Sequence, residues 1–233
     1  MLARAQLAEG QSVLDIGCGA GAVSIAAAEA VGEGGRVLGL DISAPLLGLA
    51  RERAAGMANL SFLEADAQTH VFEAKAFDRV ISRFGVMFFE DPTAAFANIR
   101  RGCRPNALLS FACWRQSSEN TWLGLPMQAA QHLVPPRPPG DPEAPGPVAF
   151  ARAARVREVL GGSGWRDVRV EPFDIKVGGG DLEETTALMT RVGPLGHAIR
   201  DAGAAPELIK AATGAVGEVA RQYLGPDGLC WMQ

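Results

Sequence analysis

Three aspartates punctuate the first third of the chain, each at or just after a short, largely apolar run: Asp15 in Val13-Leu14-Asp15-Ile16, Asp41 after 36–40, and Asp66 after 60–64. Between the first two lies the sharpest local feature, Gly17-Cys18-Gly19-Ala20-Gly21. Glycines at a strand-to-helix junction let the backbone turn tightly and let a ligand approach main-chain atoms with no Cβ in the way. Asp15 stands two residues before the first glycine, where a carboxylate repels a pyrophosphate but attracts a cationic ammonium group. Asp41, twenty residues after Gly21, can accept both hydrogen bonds of a ribose diol. Asp66, in Glu64-Ala65-Asp66-Ala67, can accept from the amino group of an adenine. Gly17, Gly19 and Ala22 also satisfy the dinucleotide pattern G-x-G-x-x-A, so a nicotinamide-dependent oxidoreductase stays in play at this point.

These residues need strands and helices to hold them, and the first half of the chain alternates the two, the pattern of a parallel α/β sheet. Strands are expected at 12–16, 36–40, 60–64, 77–82 and 107–114, the last almost wholly apolar and so expected to be central. Helices are expected at 20–31, from a Ser43 cap to about Met57, and from Pro92 to about Cys103 with Phe96 and Ile99 on one face. Further on, 121–133 reads as helix and 135–147 as a Pro-rich connector. A helix at 152–160 ends at the glycines of 161–164, a strand at 168–177 is broken by Pro172, and helices follow at 182–202 and 206–224. The residues 229–233 close the chain as a short strand. The division expected is one domain over 1–233: a cofactor-binding half at 1–115, a lid or insertion at 116–150, and a substrate-side half at 151–233.

Composition excludes several classes. The chain of 233 residues is 48% hydrophobic and 21% charged, an ordinary globular balance. Its 22 Lys and Arg against 26 Asp and Glu give a formal charge of -4, with no basic excess for a nucleic-acid backbone. No apolar run is long enough to span a membrane, and the first ten residues lack the apolar core of a signal peptide, so the expected location is the cytoplasm. Four dispersed cysteines show no metal-ligand spacing, and no metal is expected. A ligand with an ammonium group, a ribose and an adenine but no required phosphate is S-adenosylmethionine.

The combination VLDIGCGAG (13–21), GLDIS (39–43), EADAQTH (64–70) and FDRVISRFGVMFFEDPTAAFANIRR (77–101) resembles the class I S-adenosylmethionine-dependent methyltransferases. The likeness is to their small-molecule branch, which includes the ubiquinone and menaquinone C-methyltransferases. It implies a bacterial enzyme with a doubly wound, mostly parallel seven-stranded sheet of order 3-2-1-4-5-7-6, its last strand antiparallel. It also implies that Asp15, Gly17, Cys18, Gly19 and Gly21 shape the methionine pocket and that Asp41 binds ribose. Ile42 would pack on adenine, Asp66 and Ala67 would meet its edge, and Ser82 and Arg83 would line the cofactor's underside. Where the family has a Pro-Gly-Gly turn this chain has Pro105-Asn106-Ala107, and Asn is well suited to the positive φ required there. Eleven residues precede the first strand, which relative to the family implies truncation at both ends.

The resemblance implies methyl transfer to a small organic acceptor, with S-adenosylhomocysteine as product and a homodimer left open. Phe84, Met87 and Phe88 follow the fourth strand, Trp114 ends the fifth and Trp122 lies in the next helix, where an acceptor pocket opens in such a fold; core packing is the competing reading. His70 and His132 are weak candidates for a general base. Two rival functions remain: a binding protein that holds the cofactor or a partner without turnover, and the oxidoreductase. The latter is opposed by Asp15 and by the lack of a Tyr-x-x-x-Lys pair, Tyr223 being the single tyrosine.

Overall fold

The computed structural model describes residues 1–135 and 141–232. They form two compact units, Met1–Trp114 with Pro142–Val170, and Arg115–Asp141 with Glu171–Gln233.

In the first unit five parallel strands, β1 (Ser12–Ile16), β2 (Arg36–Asp41), β3 (Leu60–Glu64), β4 (Phe77–Arg83) and β5 (Cys103–Ala112), lie in the order β3-β2-β1-β4-β5. All five residues of β1 are buried, as a strand covered on both faces requires. Because successive strand residues face opposite ways, Val13 and Ile81 join one apolar cluster and Leu14 and Val80 the other. The first cluster is closed by Ala27, Ala28 and Val31 of α1 (Ala22–Val31). The second is closed by Phe96 and Ile99 of α3 (Pro92–Arg101) and by Val156, Val159 and Leu160 of α5 (Ala153–Gly162). Helix α2 (Ala44–Arg53) turns Leu47 and Ala50 inward. Pro92 at its first turn and the Asp91 carboxylate, which accepts from Ala94 N–H at 2.9 Å, start α3.

The chain runs outward from β1 to β3 and then returns to lay β4 on the other side of β1. Neighbouring connections therefore diverge at the carboxyl ends of β1 and β4, and in open α/β sheets ligands bind at such a switch point. The motifs of 17–21 and 82–88 follow these two strands.

The second unit packs α4 (Thr121–Ala130), α6 (Leu182–Arg191), α7 (Gly193–Asp201) and α8 (Pro206–Ala220) around Met189, Leu195, Ile199, Ala212, Val216 and Ala220. Asp181 and Glu184 form a reciprocal capping box at the start of α6. Strands β6 (Val177–Gly178) and β7 (Trp231–Met232) make a separate antiparallel pair.

Several expectations are corrected. The described strands form a five-stranded sheet and a two-stranded one, so β5 is an edge strand instead of a central one. Pro172 has no N–H to donate, and the 168–176 segment forms no ladder. The helix expected over 182–202 divides at Val192, because Pro194 restricts the residue before it and offers no donor to the preceding turn. Ser43 begins α2 without a side-chain cap, and its own N–H donates to the Asp41 carboxylate. Helix α5 runs through Gly161 and Gly162, and Gly164 at φ +86° follows its end. Asn106 does adopt the left-handed turn, at φ +65°. Residues 136–140 of the Pro-rich connector and Gln233 lie outside the described residues.

Candidate functional site

The loop after β1 is built by hydrogen bonds to the end of β2. Gly17 N–H and Cys18 N–H both donate to the Leu40 carbonyl, at 2.8 and 3.1 Å, and Gly17 sits at φ +65°. Gly19 N–H donates to Asp41 Oδ2 at 2.7 Å, while Ser43 N–H donates to Oδ1 at 2.9 Å. A carboxylate has about four acceptor positions, so each Asp41 oxygen keeps one for a ligand hydroxyl. Ile42 beside it is 74% exposed, and a Cβ at Gly19 would meet nothing nearer than Leu46 Cδ1 at 4.0 Å. An aliphatic surface thus borders an open glycine and a carboxylate at the sheet's carboxyl edge.

Gly17 has a different surrounding. A Cβ there would lie 2.6 Å from the Cα of Gly85, and one on Gly85 would lie 2.5 Å from the Ile16 carbonyl oxygen. The loops after β1 and β4 therefore meet backbone to backbone. Ser82, fully buried, ties them by donating its hydroxyl to Ile16 O at 2.7 Å and accepting Gly85 N–H at 3.3 Å. Gly85 is a site residue that the sequence reading misses, because its requirement comes from a loop distant in sequence.

Asp15 lies beneath the loop with 1% exposure. Its Oδ2 accepts the Ser24 hydroxyl at 2.6 Å, and its Oδ1 is buried without a hydrogen-bond partner. Burial pushes this carboxyl up from 3.8 to about 7; the Ser24 bond and the Arg83 charge work against that rise and the Asp41 charge adds to it. Because the folded-state value is raised, the contribution of Asp15 to stability is fully present below about pH 4 and is lost as pH rises through about 7. Between pH 5.5 and 8 the chain is thus expected to lose about 1–2 kcal/mol that Asp15→Asn does not lose, as read by urea denaturation at both pH values. Parallel pH profiles for the two proteins would remove Asp15 as the titrating group. Cys18 lies 8% exposed above it, and burial together with the Asp15 and Asp41 charges pushes the thiol up to about 12, so it is a neutral filler at physiological pH.

Asp66 is exposed at the head of a tight turn: its Oδ1 accepts Gln68 N–H at 2.8 Å, and its carbonyl accepts Thr69 and His70 N–H. Ala67 is buried, and its carbonyl accepts from Asn98 Nδ2 of α3 at 2.9 Å; the same amide nitrogen donates to His70 O at 2.8 Å. The His70 ring packs edge-on against Phe72 and lines a groove of about 450 Å³ over 36–38 of β2 and 60–61 of β3, toward the amino ends of those strands.

Arg83, the last residue of β4, is exposed, and Phe84 after it takes φ +63°, a strained backbone for an aromatic residue. The Phe84 ring stacks on Trp114 with centroids 4.2 Å apart and planes 2° from parallel. Met87 is buried beside them in sequence, whereas Phe88 is 53% exposed. These residues and the three aspartates belong to the first unit. Trp122 packs on the second unit's core, and His132 is exposed in the turn after α4. Among the described residues no cluster of His, Cys, Asp and Glu could hold a metal, and no helix is long and apolar enough to cross a membrane.

The glycine loop at the switch point thus stands with Asp41 at the end of β2, Asp66 just past β3 and Asp15 buried beneath it, on a doubly wound α/β sheet. Residues 13–106 match the family model described as a methyltransferase domain. The aklanonic acid methyltransferase of Streptomyces sp. strain C5 is 43% identical over 90 residues, 38% of this chain and 41% of that protein. A demethylmenaquinone methyltransferase of Staphylococcus aureus is 34% identical over 101 residues, 43% of this chain and 42% of that one. A solved S-adenosylmethionine-dependent methyltransferase from Aquifex aeolicus shares the fold with a TM-score of 0.54 at 22% identity, covering 73% of this chain and 79% of that one. The chain spans about two fifths of the length of the two curated relatives. Residues 13–106 are thus similar to a methyltransferase domain, and the chain shares its fold with the Aquifex aeolicus structure.

Proposed function

We propose that this chain transfers a methyl group from S-adenosylmethionine to a small, planar aromatic acceptor. The observation that carries the reading is the arrangement at the switch point: Asp41 with two acceptor positions free beside an open glycine, and an unpartnered buried oxygen of Asp15 beneath the loop. This arrangement fits the cofactor. Asp41 would accept the ribose diol, Ile42 and Leu46 would cover a face of the adenine, and Asp66 would accept its amino group. Asp15 would act from below the loop, where a bound cationic amino-acid end favours its ionised form.

When bound, S-adenosylmethionine supplies an already reactive methyl group on sulfonium. The chain's residues then have to align an acceptor and keep water out, a contribution of roughly 7–11 kcal/mol. The Phe84–Trp114 stack and exposed Phe88 are the flat apolar surfaces that could hold an aromatic ring, in keeping with relatives named for aklanonic acid and demethylmenaquinone. A formal charge of -4 favours a small molecule over a nucleic acid. No proton transfer is assigned to His70, whose ring faces the groove on β2 and β3, or to His132.

Calorimetric titration with S-adenosylmethionine, S-adenosylhomocysteine and NADH tests the reading. The two sulfur ligands are expected to bind at micromolar concentration and NADH not at all; binding of NADH alone would overturn it. With radiolabelled S-adenosylmethionine, label should pass to hydroxynaphthoquinones or phenols in preference to aliphatic amines. Tight binding with no transfer to any of them would favour a binding protein over an enzyme.

A further inference from the structure

The turn that carries Asp66 belongs to the stretch 65–76 between β3 and β4, which contains no helix or strand. A stretch of that length needs external anchors if one of its side chains is to be held in register with a ligand. Two of them come from α3 and its cap. Gln68 Oε1 accepts Asp91 N–H at 2.9 Å, and Asn98 donates both hydrogens of its amide, to Ala67 O and His70 O at either end of the turn. Asn98 is 7% exposed, and its Oδ1 accepts Arg101 Nη2 at 2.7 Å, which fixes which end of the amide faces the turn.

Resting on the reading of the site given above, we propose that Asn98 is a positioning residue for adenine recognition. It touches no ligand; it holds the carbonyls on both sides of Asp66's turn, so that the carboxylate meets the exocyclic amino group in one orientation. Without the amide the two carbonyls lose their donors, the turn relaxes toward water, and Asp66 keeps its charge but not its aim. The loss should fall on the base edge that Asp66 reads. The ribose contacts of Asp41 stay, because the Asp41 carboxylate is tied to Gly19 and Ser43 and not to this turn.

The discriminating measurement compares affinities for S-adenosylhomocysteine and S-inosylhomocysteine, in which a carbonyl replaces the amino group, using the full chain. The unsubstituted protein should prefer the adenine ligand by about 10- to 100-fold, the worth of one hydrogen bond to a charged acceptor. Asp66→Ala should abolish that preference, and Asn98→Ala should bring it within about threefold of unity while binding of the inosine ligand changes little. A merely structural asparagine would weaken both ligands in parallel and leave their ratio intact, which would overturn the proposal. If Asn98→Ala does not fold, Asn98→Ser, with one hydroxyl donor, carries the same comparison, and an unchanged ratio there again overturns it. If the unsubstituted protein binds neither ligand, the methyltransferase reading itself fails. Binding of both with equal affinity would overturn the role of Asp66, and with it that of Asn98.

Discussion

Asp41→Ala is expected to weaken S-adenosylhomocysteine binding by at least about 100-fold while leaving a folded protein, because two hydrogen bonds from the ribose diol to a charged acceptor are lost together. The same substitution frees Gly19 N–H, which now donates to Asp41 Oδ2 at 2.7 Å, so the glycine loop loses its anchor to β2 as well as its ligand partner. Asp41 is only partly buried, and water can take over the released donors, so the stability cost should stay near 1 kcal/mol. Asp41→Asn separates the two roles. Its single carbonyl oxygen can still accept Gly19 N–H, although its amide nitrogen then faces Ser43 N–H without accepting it, and it cannot accept both diol hydroxyls with a full charge, so part of the stability should return and most of the affinity should not. Calorimetry and thermal denaturation on the two variants read these quantities independently. An Asp41→Ala protein that binds within threefold of the unsubstituted chain would remove Asp41 from the ribose site.

How much of this arrangement is legible in the sequence depends on whether the requirement is local. The glycine loop, the strand before it and the carboxylates at the strand ends are legible because apolar run, turn and helix follow each other within a dozen residues. Asn106 is legible for the same reason: a turn that needs positive φ admits few residues, and Asn is one of them. Gly85 is not, because its missing Cβ is demanded by Ile16 and Gly17, which come from another strand. The edge position of β5 is equally non-local, since an apolar strand looks the same whether a neighbouring strand or side chains cover it. Asn98 does carry a signal in the sequence. It shares a helix face with Ala95, and Phe96 and Ile99 beside it are buried, where an amide must find partners. The Gly193-Pro194 pair likewise marked the break between α6 and α7, yet the apolar pattern continues across it and reads as one helix.

The contact between Gly17 and Gly85 leads to the largest expected loss of stability, that of Gly17→Ala. Two costs add. A left-handed φ of +65° is paid by any residue with a Cβ, at roughly 1–2 kcal/mol. The new methyl would also sit 2.6 Å from the Gly85 Cα, a backbone atom that cannot swing aside as a flexible side chain would. Nor can Gly85 retreat cheaply, because its own turn follows Phe84, whose strained φ of +63° is held by Phe84 N–H donating to Ala112 O at 3.0 Å and by the stack on Trp114. A total loss of about 3 kcal/mol or more is expected, or roughly 5–10 °C in melting temperature. Gly19→Ala is the matched control. It has the same kind of φ, +54°, but open space around the added methyl, so it should cost only about 1 kcal/mol in stability. Its larger effect should fall on cofactor affinity, because that open space is where the ligand would lie. Urea denaturation and S-adenosylhomocysteine titration of both variants should therefore cross over, with Gly17→Ala failing chiefly in folding and Gly19→Ala chiefly in binding. Equal losses of stability would mean that the two loops are not in backbone contact, and the switch-point geometry assigned to the site would have to be redrawn.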